Sequence, residues 1–159
     1  MDDQDDDFDD LTEAEEEAWC AERREEVADY LERENLRHGE IGEWPAWHIA
    51  PYVSVWAVES LVAPGSVGWW AICGDVPCDY CSSSGGCDNP RRALRRIGET
   101  WLEALAATPP GAQTIGETGL PADMTDLFRS RAELLLDWVA DPDAWPPDAP
   151  DSDSSMSLH

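Results

Sequence analysis

The fold of this chain is decided by the stretch Val67-Gly68-Trp69-Trp70-Ala71-Ile72-Cys73-Gly74-Asp75-Val76-Pro77-Cys78-Asp79-Tyr80-Cys81. Residues 67–73 are apolar on both faces of an extended chain, which indicates a strand in the middle of a small sheet or beneath a helix. A Gly-Asp pair ends the run, and a proline then predicts a turn. Upstream, residues 53–58 combine β-branched and aromatic side chains and predict a second strand. Because a short turn with a Pro-Gly pair separates the two strands, we expect an antiparallel hairpin.

Three segments carry the composition and the flanking signals of helices. Residues 11–37 hold Ala, Glu and Arg without Gly or Pro, and Thr12 with Glu15 fits a capping box at the start. An Asn-Pro pair at residues 89–90 predicts the start of a second helix. Residues 124–140 show the clearest helical period of apolar side chains and predict a third helix. The sequence therefore predicts an α+β fold, in which a small antiparallel β-hairpin or sheet packs against two to three helices.

The first predicted helix has few large apolar residues. A narrow stripe of small residues runs along it, formed by Leu11, Ala14, Ala18, Ala21 and Ala28. Larger side chains widen this stripe in places, namely Trp19, Cys20, Val27, Tyr30 and Leu31.

We expect a single domain over residues 11–140, between two tails. Residues 1–10 are nearly all aspartate, and residues 141–159 are rich in Pro, Asp and Ser. Such segments cannot bury enough apolar surface to fold, so both tails are predicted to be disordered.

The chain is strongly acidic. It has 35 Asp and Glu against 10 Lys and Arg, a formal net charge of −25, and all of its basic residues are arginine. Residues 1–40 hold 18 acidic and four basic residues, a net of −14. Such a field repels nucleic acid and anionic membranes, so we expect direct binding to neither, and it attracts basic proteins.

The sequence indicates neither a membrane span nor a secretory signal. No apolar run reaches the roughly 18–20 residues of a membrane helix, and the acidic N-terminus is the opposite of a signal peptide. Five cysteines, an odd number, favour reduced thiols in this context, so we expect a cytoplasmic protein. The sequence carries no signal for an oligomeric state.

These features favour a non-enzymatic module that captures a basic protein partner. An immunity- or inhibitor-like role against a toxin or nuclease is the most specific version of this hypothesis. Acidic side chains would speed the encounter, and exposed tryptophans would anchor the interface, although the surplus of nine tryptophans could also fill a core. The candidates for the partner surface are Glu15, Glu16, Trp19, Glu22, Trp44, Trp47, Trp70, Asp75, Asp79 and Tyr80.

A cysteine cluster offers a second hypothesis, a structural zinc or redox site formed by Cys73, Cys78, Cys81 and Cys87. The Cys78-x2-Cys81 pair has the spacing of a zinc knuckle, and four thiolates could converge if the strand end adjoins the next helix start. A two-knuckle site would need a second close pair, however, and Cys73 also fits as a small buried residue. A redox pair or an incidental cluster is the alternative, and apart from zinc the sequence predicts no cofactor.

Three further constellations could carry chemistry. Asp75 and Asp79, at a strand end beside Tyr80, could bind a cation or act as acid and base in an uncharacterised enzyme, or they could cap the turn and loop. His48 could activate Cys73, Cys78 or Cys81 as a nucleophile. Four arginines at the second helix start could bind an anion or pair with internal acids, for example on the first helix, and they are Arg91, Arg92, Arg95 and Arg96.

Two motifs stand out on either side of the predicted turn: Gly68-Trp69-Trp70-x-Ile72-x-Gly74-Asp75-x-Pro77-x-Asp79-Tyr80 and Pro90-Arg91-x-Ala93-Leu94. They resemble a family of small bacterial proteins known only as a domain of unknown function, over roughly Val53 to Leu105. In that pattern threonine takes the place of Cys78, which implies that the cysteine cluster is a local feature of this chain. The family brings no established activity, cofactor or catalytic residue, so the resemblance implies a shared fold alone.

Overall fold

The structure is a computed structural model, and it describes residues 11–116, 118 and 120–145. The chain divides into two compact units, with the boundary between Ser84 and Gly85. We refer to them as the N-terminal unit and the C-terminal unit. The predicted disordered segment 1–10 lies outside the described residues, as do residues 146–159 of the predicted C-terminal tail.

The N-terminal unit consists of one helix and a four-stranded antiparallel sheet. The strands follow one another in the sheet in the order of the chain. The elements are α1 (Glu13–Arg33), β1 (Trp47–Ile49), β2 (Val53–Glu59), β3 (Val67–Gly74) and β4 (Asp79–Ser82). The hairpin that the sequence predicts is therefore the central pair, β2 and β3, of a larger sheet.

The two edge strands, β1 and β4, are not among the two strands that the sequence predicts. They are only three and four residues long, and Pro, Gly and Ser residues typical of loops lie next to them. Pairing with the longer central strands supplies their hydrogen bonds, and a local sequence pattern does not show such pairing. β3 pairs with β2 on one side and with β4 on the other, which confirms its expected central position.

The C-terminal unit is built on two α-helices and two short 3-10 helices, which are α2 (Pro90–Ala106), α3 (Thr125–Ala140), Ala122–Met124 and Pro142–Ala144. Asn89 caps α2 as predicted, because its side chain accepts a hydrogen bond from Arg92 N at 2.9 Å. The rings of Trp101 on α2 and Phe128 on α3 have their centroids 4.9 Å apart, so the two helices pack through large apolar side chains.

The predicted α+β class is confirmed, since the described residues form a four-stranded antiparallel sheet and three α-helices. The capping box at the start of α1 is also confirmed. Thr12 Oγ1 accepts a hydrogen bond from Glu15 N at 3.0 Å, and Glu15 Oε1 accepts one from Thr12 N at 2.9 Å. This reciprocal pair satisfies two of the N–H groups that a helix start leaves without partners.

The face that α1 packs against the sheet is not the stripe of small residues. Cys20, Val27 and Leu31 are its buried side chains. The exposed residues of α1 include all four alanines of the stripe, Ala14, Ala18, Ala21 and Ala28. An alanine methyl buries too little apolar area to hold a helix on a sheet, so the larger side chains decide the packing face. No helix in the described part of the chain is both long and apolar enough to cross a membrane.

The core of the N-terminal unit lies between α1 and one face of the sheet. Its central residues are Val27, Leu31, Ile41, Trp56, Val58, Ala71 and Cys73. Each large apolar side chain buried here stabilises the fold by roughly 1.5–3 kcal/mol. Ser54 is also fully buried. Its hydroxyl donates to Cys73 O at 2.9 Å and accepts from Trp56 Nε1 at 2.9 Å, which satisfies the polar groups beside the core.

The described structure extends five residues past α3, into the segment predicted to be a disordered tail. Residues 141–145 contain the second 3-10 helix, and Trp145 is only 6 % exposed. Its indole Nε1 donates to Trp138 O at 2.9 Å, and the Arg91 guanidinium carbon lies 5.8 Å from its ring centroid. A tryptophan can bury about 150–250 Å². This burial orders the segment beyond the Asp-Pro pair on which the predicted boundary was based.

Gly74 explains why the apolar run ends where it does. Its φ is +142°, which residues with a side chain rarely adopt. A Cβ at this position would lie 2.5 Å from Tyr52 O. The same carbonyl accepts a hydrogen bond from Asp75 N at 2.7 Å, so the two backbones are held together there. Glycine is the residue that allows this close approach.

We expect Gly74→Ala to destabilise the protein more than Gly65→Ala does. Both glycines have a positive φ, so both substitutions introduce backbone strain of about 1–3 kcal/mol. A Cβ at Gly65 meets nothing within 4 Å, whereas one at Gly74 must displace the Tyr52 backbone. The loss for Gly74→Ala should therefore be larger by at least about 1 kcal/mol. Urea unfolding followed by tryptophan fluorescence measures both losses, and equal values would contradict the close approach.

Candidate functional site

An open groove on the N-terminal unit is the candidate binding site. Its volume is about 320 Å³. The apolar side chains that line it are Ile41, Ala57 and Val67, and the carboxylates that line it are Glu40, Glu43 and Glu59. These residues come from the segment before β1, from β2 and from the start of β3. Because the walls are distant in sequence, no local pattern predicts the groove.

Trp44 directly follows the groove residue Glu43, and its indole packs against the ring of His48. Trp44 is 50 % exposed. Its ring meets the His48 ring edge-on, with the centroids 6.3 Å apart and an angle of 86°. The His48 ring also stacks on Trp19 of α1, at 6.2 Å and 29°, and its Nε2 lies 2.5 Å from Glu16 Oε2. Residues of α1 and β1 therefore position the indole that faces solvent.

Arg24 ties α1 to the groove wall. Its Nε donates to Gly42 O and its Nη2 donates to Ile41 O, both at 2.7 Å. A planar guanidinium presents these two donors in a fixed geometry that the ammonium of lysine does not reproduce. Ile41 also forms an isolated β-bridge with Val58, so the wall is held by both the helix and the sheet.

Glu59, at the end of β2, organises the backbone around the groove. One carboxylate oxygen accepts from Glu40 N at 3.1 Å, and the other accepts from Gly65 N at 2.7 Å. These backbone hydrogen bonds lower the pKa of Glu59 from its ordinary value. Glu59 thus shapes the groove, while Glu40 and Glu43 are exposed carboxylates on its rim.

The solvent face of α1 is acidic. The exposed acidic residues of this helix are Glu13, Glu15, Glu17, Glu22, Glu25, Asp29 and Glu32. Of the predicted candidates, Glu15 belongs to the capping box, and Glu22 lies 3.6 Å from Arg23. Glu25 and Asp29 lie in the middle of this face, and neither forms an ion pair with another described residue. This face therefore carries negative charge that the unit itself does not neutralise.

The four tryptophans among the candidates for the partner surface differ in how far they are exposed. Trp44 is half exposed, and Trp19 is partly buried with the Arg23 guanidinium carbon 5.6 Å from its ring centroid. Trp47 and Trp70 are only 8 % and 5 % exposed. Both of these side chains lie on the sheet face opposite α1, as the alternation along β1 and β3 requires. A partner could reach Trp44, whereas Trp47 and Trp70 are buried.

Asp79 and Tyr80 lie near the contact between α1 and the sheet. Asp79 Oδ1 accepts a hydrogen bond from Tyr80 N at 2.8 Å at the start of β4. This contact fits a capping role for Asp79, which is the alternative to catalysis. The Tyr80 ring packs edge-on against Tyr30, with centroids 6.1 Å apart. Burial and the charge of Asp79 raise the pKa of Tyr30. Asp75 is exposed, and its backbone joins the turn at Gly74.

Two of the clustered thiols are in contact. Cys73 Sγ and Cys78 Sγ are 2.8 Å apart, with Cys73 fully buried and Cys78 half-buried. The hydrogen bond to Cys78, then burial and nearby negative charge, raise the pKa of Cys73. A carboxylate oxygen of Glu26 joins them, and the three ligand atoms lie within 4.8 Å of one another. No spacing in the sequence points to Glu26 as a neighbour of the cysteines, because it lies far upstream on α1.

Cys81 does not join this pair. It pairs with Trp70 across the β3–β4 ladder, while Tyr80 pairs with Ala71, which lies on the same face as Cys73. Because side chains alternate along a strand, Cys81 lies on the opposite face of the sheet. Cys78 and Cys81 therefore do not form the zinc knuckle that their spacing suggests. Cys87 belongs to the C-terminal unit.

His48 is separated from the thiol pair. Its imidazole binds Glu16, and β2 lies between β1 and β3. The backbones of these two strands are thus roughly 9–10 Å apart, since neighbouring strands are about 4.8 Å apart. This geometry gives no support to a cysteine nucleophile activated by His48.

The four arginines at the start of α2 bind groups of the C-terminal unit. Arg92 Nη1 donates to Asp88 Oδ1 at 2.8 Å and to Gly86 O at 2.9 Å. The bonds of the other three are Arg91 to Val139 O, Arg95 to Glu99 and Arg96 to Gly85 O. Two of these partners are carboxylates, those of Asp88 and Glu99, and the others are backbone carbonyls. Such partners offset the positive charge at a helix start, and both carboxylates belong to the C-terminal unit, whereas the sequence analysis gave the first helix as the example.

We expect Arg24→Lys to loosen the groove wall although it keeps the positive charge. Lysine cannot make both hydrogen bonds, so the variant should lose roughly 1.5–3 kcal/mol of unfolding free energy. The Gly42 amide, which donates to Ala57 O at 3.0 Å, should also exchange its hydrogen faster. Arg33→Lys at the exposed end of α1 is the control. Identical exchange at Gly42 in both variants would contradict the role of Arg24.

The stabilising effect of Glu59 should depend on pH. Because its pKa is lowered in the folded state, the carboxylate stabilises the fold above its ordinary pKa of 4.5, and this effect disappears as the pH falls through the folded value. The difference in unfolding free energy between the wild type and Glu59→Ala should therefore shrink from about pH 7 to about pH 3. Urea titrations at both pH values measure it, and a constant difference would disprove the proposed hydrogen bonding.

Comparison with known proteins identifies a family for the chain. The profile of a domain of unknown function (DUF4826) matches residues 13–145. The match covers most of the chain, so the chain belongs to this family, and the expected membership of a family of unknown function is confirmed. The matched region extends from the start of α1 to Trp145 and is thus wider than the resemblance around the two motifs. No curated protein and no solved structure shows a significant match.

Proposed function

We propose that this member of the DUF4826 family is a non-enzymatic binding protein whose groove takes up a basic segment of a partner protein. The observation that carries this proposal is that apolar side chains and exposed carboxylates line the same groove. We call the apolar residues Ile41, Ala57 and Val67 the floor, and the exposed Glu40 and Glu43 the rim. A segment that alternates lysine or arginine with apolar side chains would satisfy both parts. Its apolar residues would contact the floor, and its cations would face the rim.

The floor and the rim have different roles in this proposal. Val67 is 37 % exposed and offers apolar area that a partner can bury. Glu40 and Glu43 would pair with partner cations at the edge of the contact, where such pairs set orientation more than affinity. A recognition site with an apolar centre and a polar rim has the usual anatomy of a protein interface.

Trp44 supplies the anchor. Tryptophan is enriched among the residues that contribute most to binding, because its ring buries a large area. The contacts of His48 with Trp44, Trp19 and Glu16 hold the indole before a partner arrives. Because little side-chain freedom remains to be lost, this arrangement reduces the ordering cost of association.

The acidic face of α1 would act over a longer range. Its exposed carboxylates add to a net charge of −25, so the field around the N-terminal unit attracts cationic proteins. Such steering raises association rates and weakens with salt. Glu25 and Asp29 thus contribute to encounter, and Trp44 to the lifetime of the complex.

An immunity- or inhibitor-like role in the bacterial cytoplasm is the most specific version of this function. Proteins that cleave or bind nucleic acid carry basic surfaces for phosphate. An acidic protein that covers such a surface would block it by charge complementarity. The groove and Trp44 would add the apolar contacts that a purely electrostatic complex lacks.

The test is a selection of peptides from a random display library with the full-length chain, followed by fluorescence anisotropy on the enriched peptides. We expect peptides that combine Lys or Arg with apolar residues. Glu43→Lys and Trp44→Ala should each weaken their binding by roughly tenfold, which corresponds to about 1.4 kcal/mol. Glu103→Lys in α2 is the matched control, because it changes the net charge equally at an exposed position of the C-terminal unit.

Either of two results would contradict the proposal. The first is enrichment of neutral or acidic peptides. The second is an equal loss of binding in Glu43→Lys and Glu103→Lys with no effect of Trp44→Ala, which would show attraction by net charge without a site. Raising the salt concentration should slow association of the selected peptides while leaving their dissociation rate nearly unchanged.

A further inference from the structure

We propose that Glu26, Cys73 and Cys78 form a zinc-binding site at the contact between α1 and the sheet. The site is independent of the groove. It uses three elements: Glu26 lies in α1, Cys73 lies near the end of β3, and Cys78 lies in the turn before β4. Their ligand atoms are mutually within 4.8 Å.

The geometry is close to that of a tetrahedral zinc centre. With a zinc–sulfur bond of about 2.3 Å and a zinc–oxygen bond of about 2.0–2.2 Å, neighbouring ligand atoms lie roughly 3.5–3.8 Å apart. The two sulfur atoms, now 2.8 Å apart, would separate by about 1 Å. Cys78 is half-buried and lies outside the strands, so its side chain can make this adjustment more easily than that of Cys73.

The carboxylate of Glu26 lies between Arg23 and the thiol pair. Its side chain is 40 % exposed, and its Oε1, which is shielded from solvent, forms an ion pair with Arg23 Nη1 at 3.2 Å. The proximity of this carboxylate to Cys73 is also one of the causes that raise the pKa of that thiol. A cation bound between Glu26 and the two sulfur atoms would replace this unfavourable proximity by attraction to all three ligands.

The ligand set selects the kind of metal. Two thiolates favour zinc and similar soft or borderline ions over calcium and magnesium, which prefer oxygen. Binding converts two thiols to thiolates and releases two protons. With the carboxylate, the ligands contribute three negative charges against two positive charges of the ion, and the Arg23 guanidinium beside Glu26 offsets the remaining one.

Three protein ligands leave one position of a tetrahedral ion for water or another ligand. The rings of Tyr30 and Tyr80 pack against each other at the same helix–sheet contact. A bound ion would join α1 directly to β3 and to the turn before β4. Its binding free energy would therefore add to the stability of the N-terminal unit.

Titration of the reduced full-length chain with Co²⁺ tests the site, because thiolate ligands give this ion charge-transfer absorption and a tetrahedral site gives strong visible bands. We expect one Co²⁺ per chain, displaced by Zn²⁺. Cys78→Ser should abolish the thiolate bands. Glu26→Gln should weaken binding by roughly tenfold or more, since even the loss of an outer-shell partner of a metal ligand has an effect of this size. Cys81→Ser, which removes a thiol on the opposite sheet face, should bind as the wild type does.

A thermal melt with and without Zn²⁺ provides a measurement that does not depend on colour. Zn²⁺ should raise the melting temperature of the wild type and of Cys81→Ser but not of Cys78→Ser. Thiolate bands that persist in Cys78→Ser, or that disappear in Cys81→Ser, would overturn the proposal. It would also be overturned if the reduced chain bound no Co²⁺. A Cys73–Cys78 disulfide found by mass spectrometry of the oxidised chain would in that case identify a redox pair.

Discussion

The packing of α1 against β2 and β3 is the interaction on which the rest of the N-terminal unit depends. Val27 and Leu31 fix the helix on Trp56 and Ala71, all fully buried. Truncating a residue such as Leu31 to alanine typically costs about 2–5 kcal/mol, so this contact is a large share of the stability of a small unit. Once the helix is placed, three of its polar residues reach groups distant in sequence. Arg24 binds the groove wall, Glu16 binds His48, and Glu26 approaches the thiol pair.

The features that the sequence predicted correctly are encoded locally. The capping box of Thr12 and Glu15 needs only four consecutive residues, and the Asn-Pro start of α2 needs two. The central strands follow from apolar and β-branched runs of six and seven residues, at 53–58 and 67–73. Such local patterns predict the structure correctly because the interacting residues are neighbours in the chain, so their contact does not depend on the tertiary fold. The fold class followed from these elements, whereas the edge strands depended on pairing across the sheet.

The candidate sites depend on contacts that no spacing reveals. The stripe of alanines on α1 has helical period, yet burial follows side-chain size, so the larger Val27 and Leu31 decide the face. The knuckle spacing of Cys78 and Cys81 is local, but the sheet register turns the two thiols to opposite faces. Glu26 joins the cysteines only through the tertiary packing of α1. For the same reason the composition predicted an acidic surface but not its groove.

NMR chemical-shift perturbation with a selected basic peptide on the isotope-labelled chain would show whether the groove is the binding site. We expect the largest shifts on residues 40–44 and on the groove residues of β2 and β3, together with the indole N–H of Trp44. We further expect saturating peptide to leave α2 and α3 of the C-terminal unit unshifted. Shifts that are spread over all acidic surfaces, or that are centred on α2 and α3, would contradict a binding site built by the packing of α1 on the sheet.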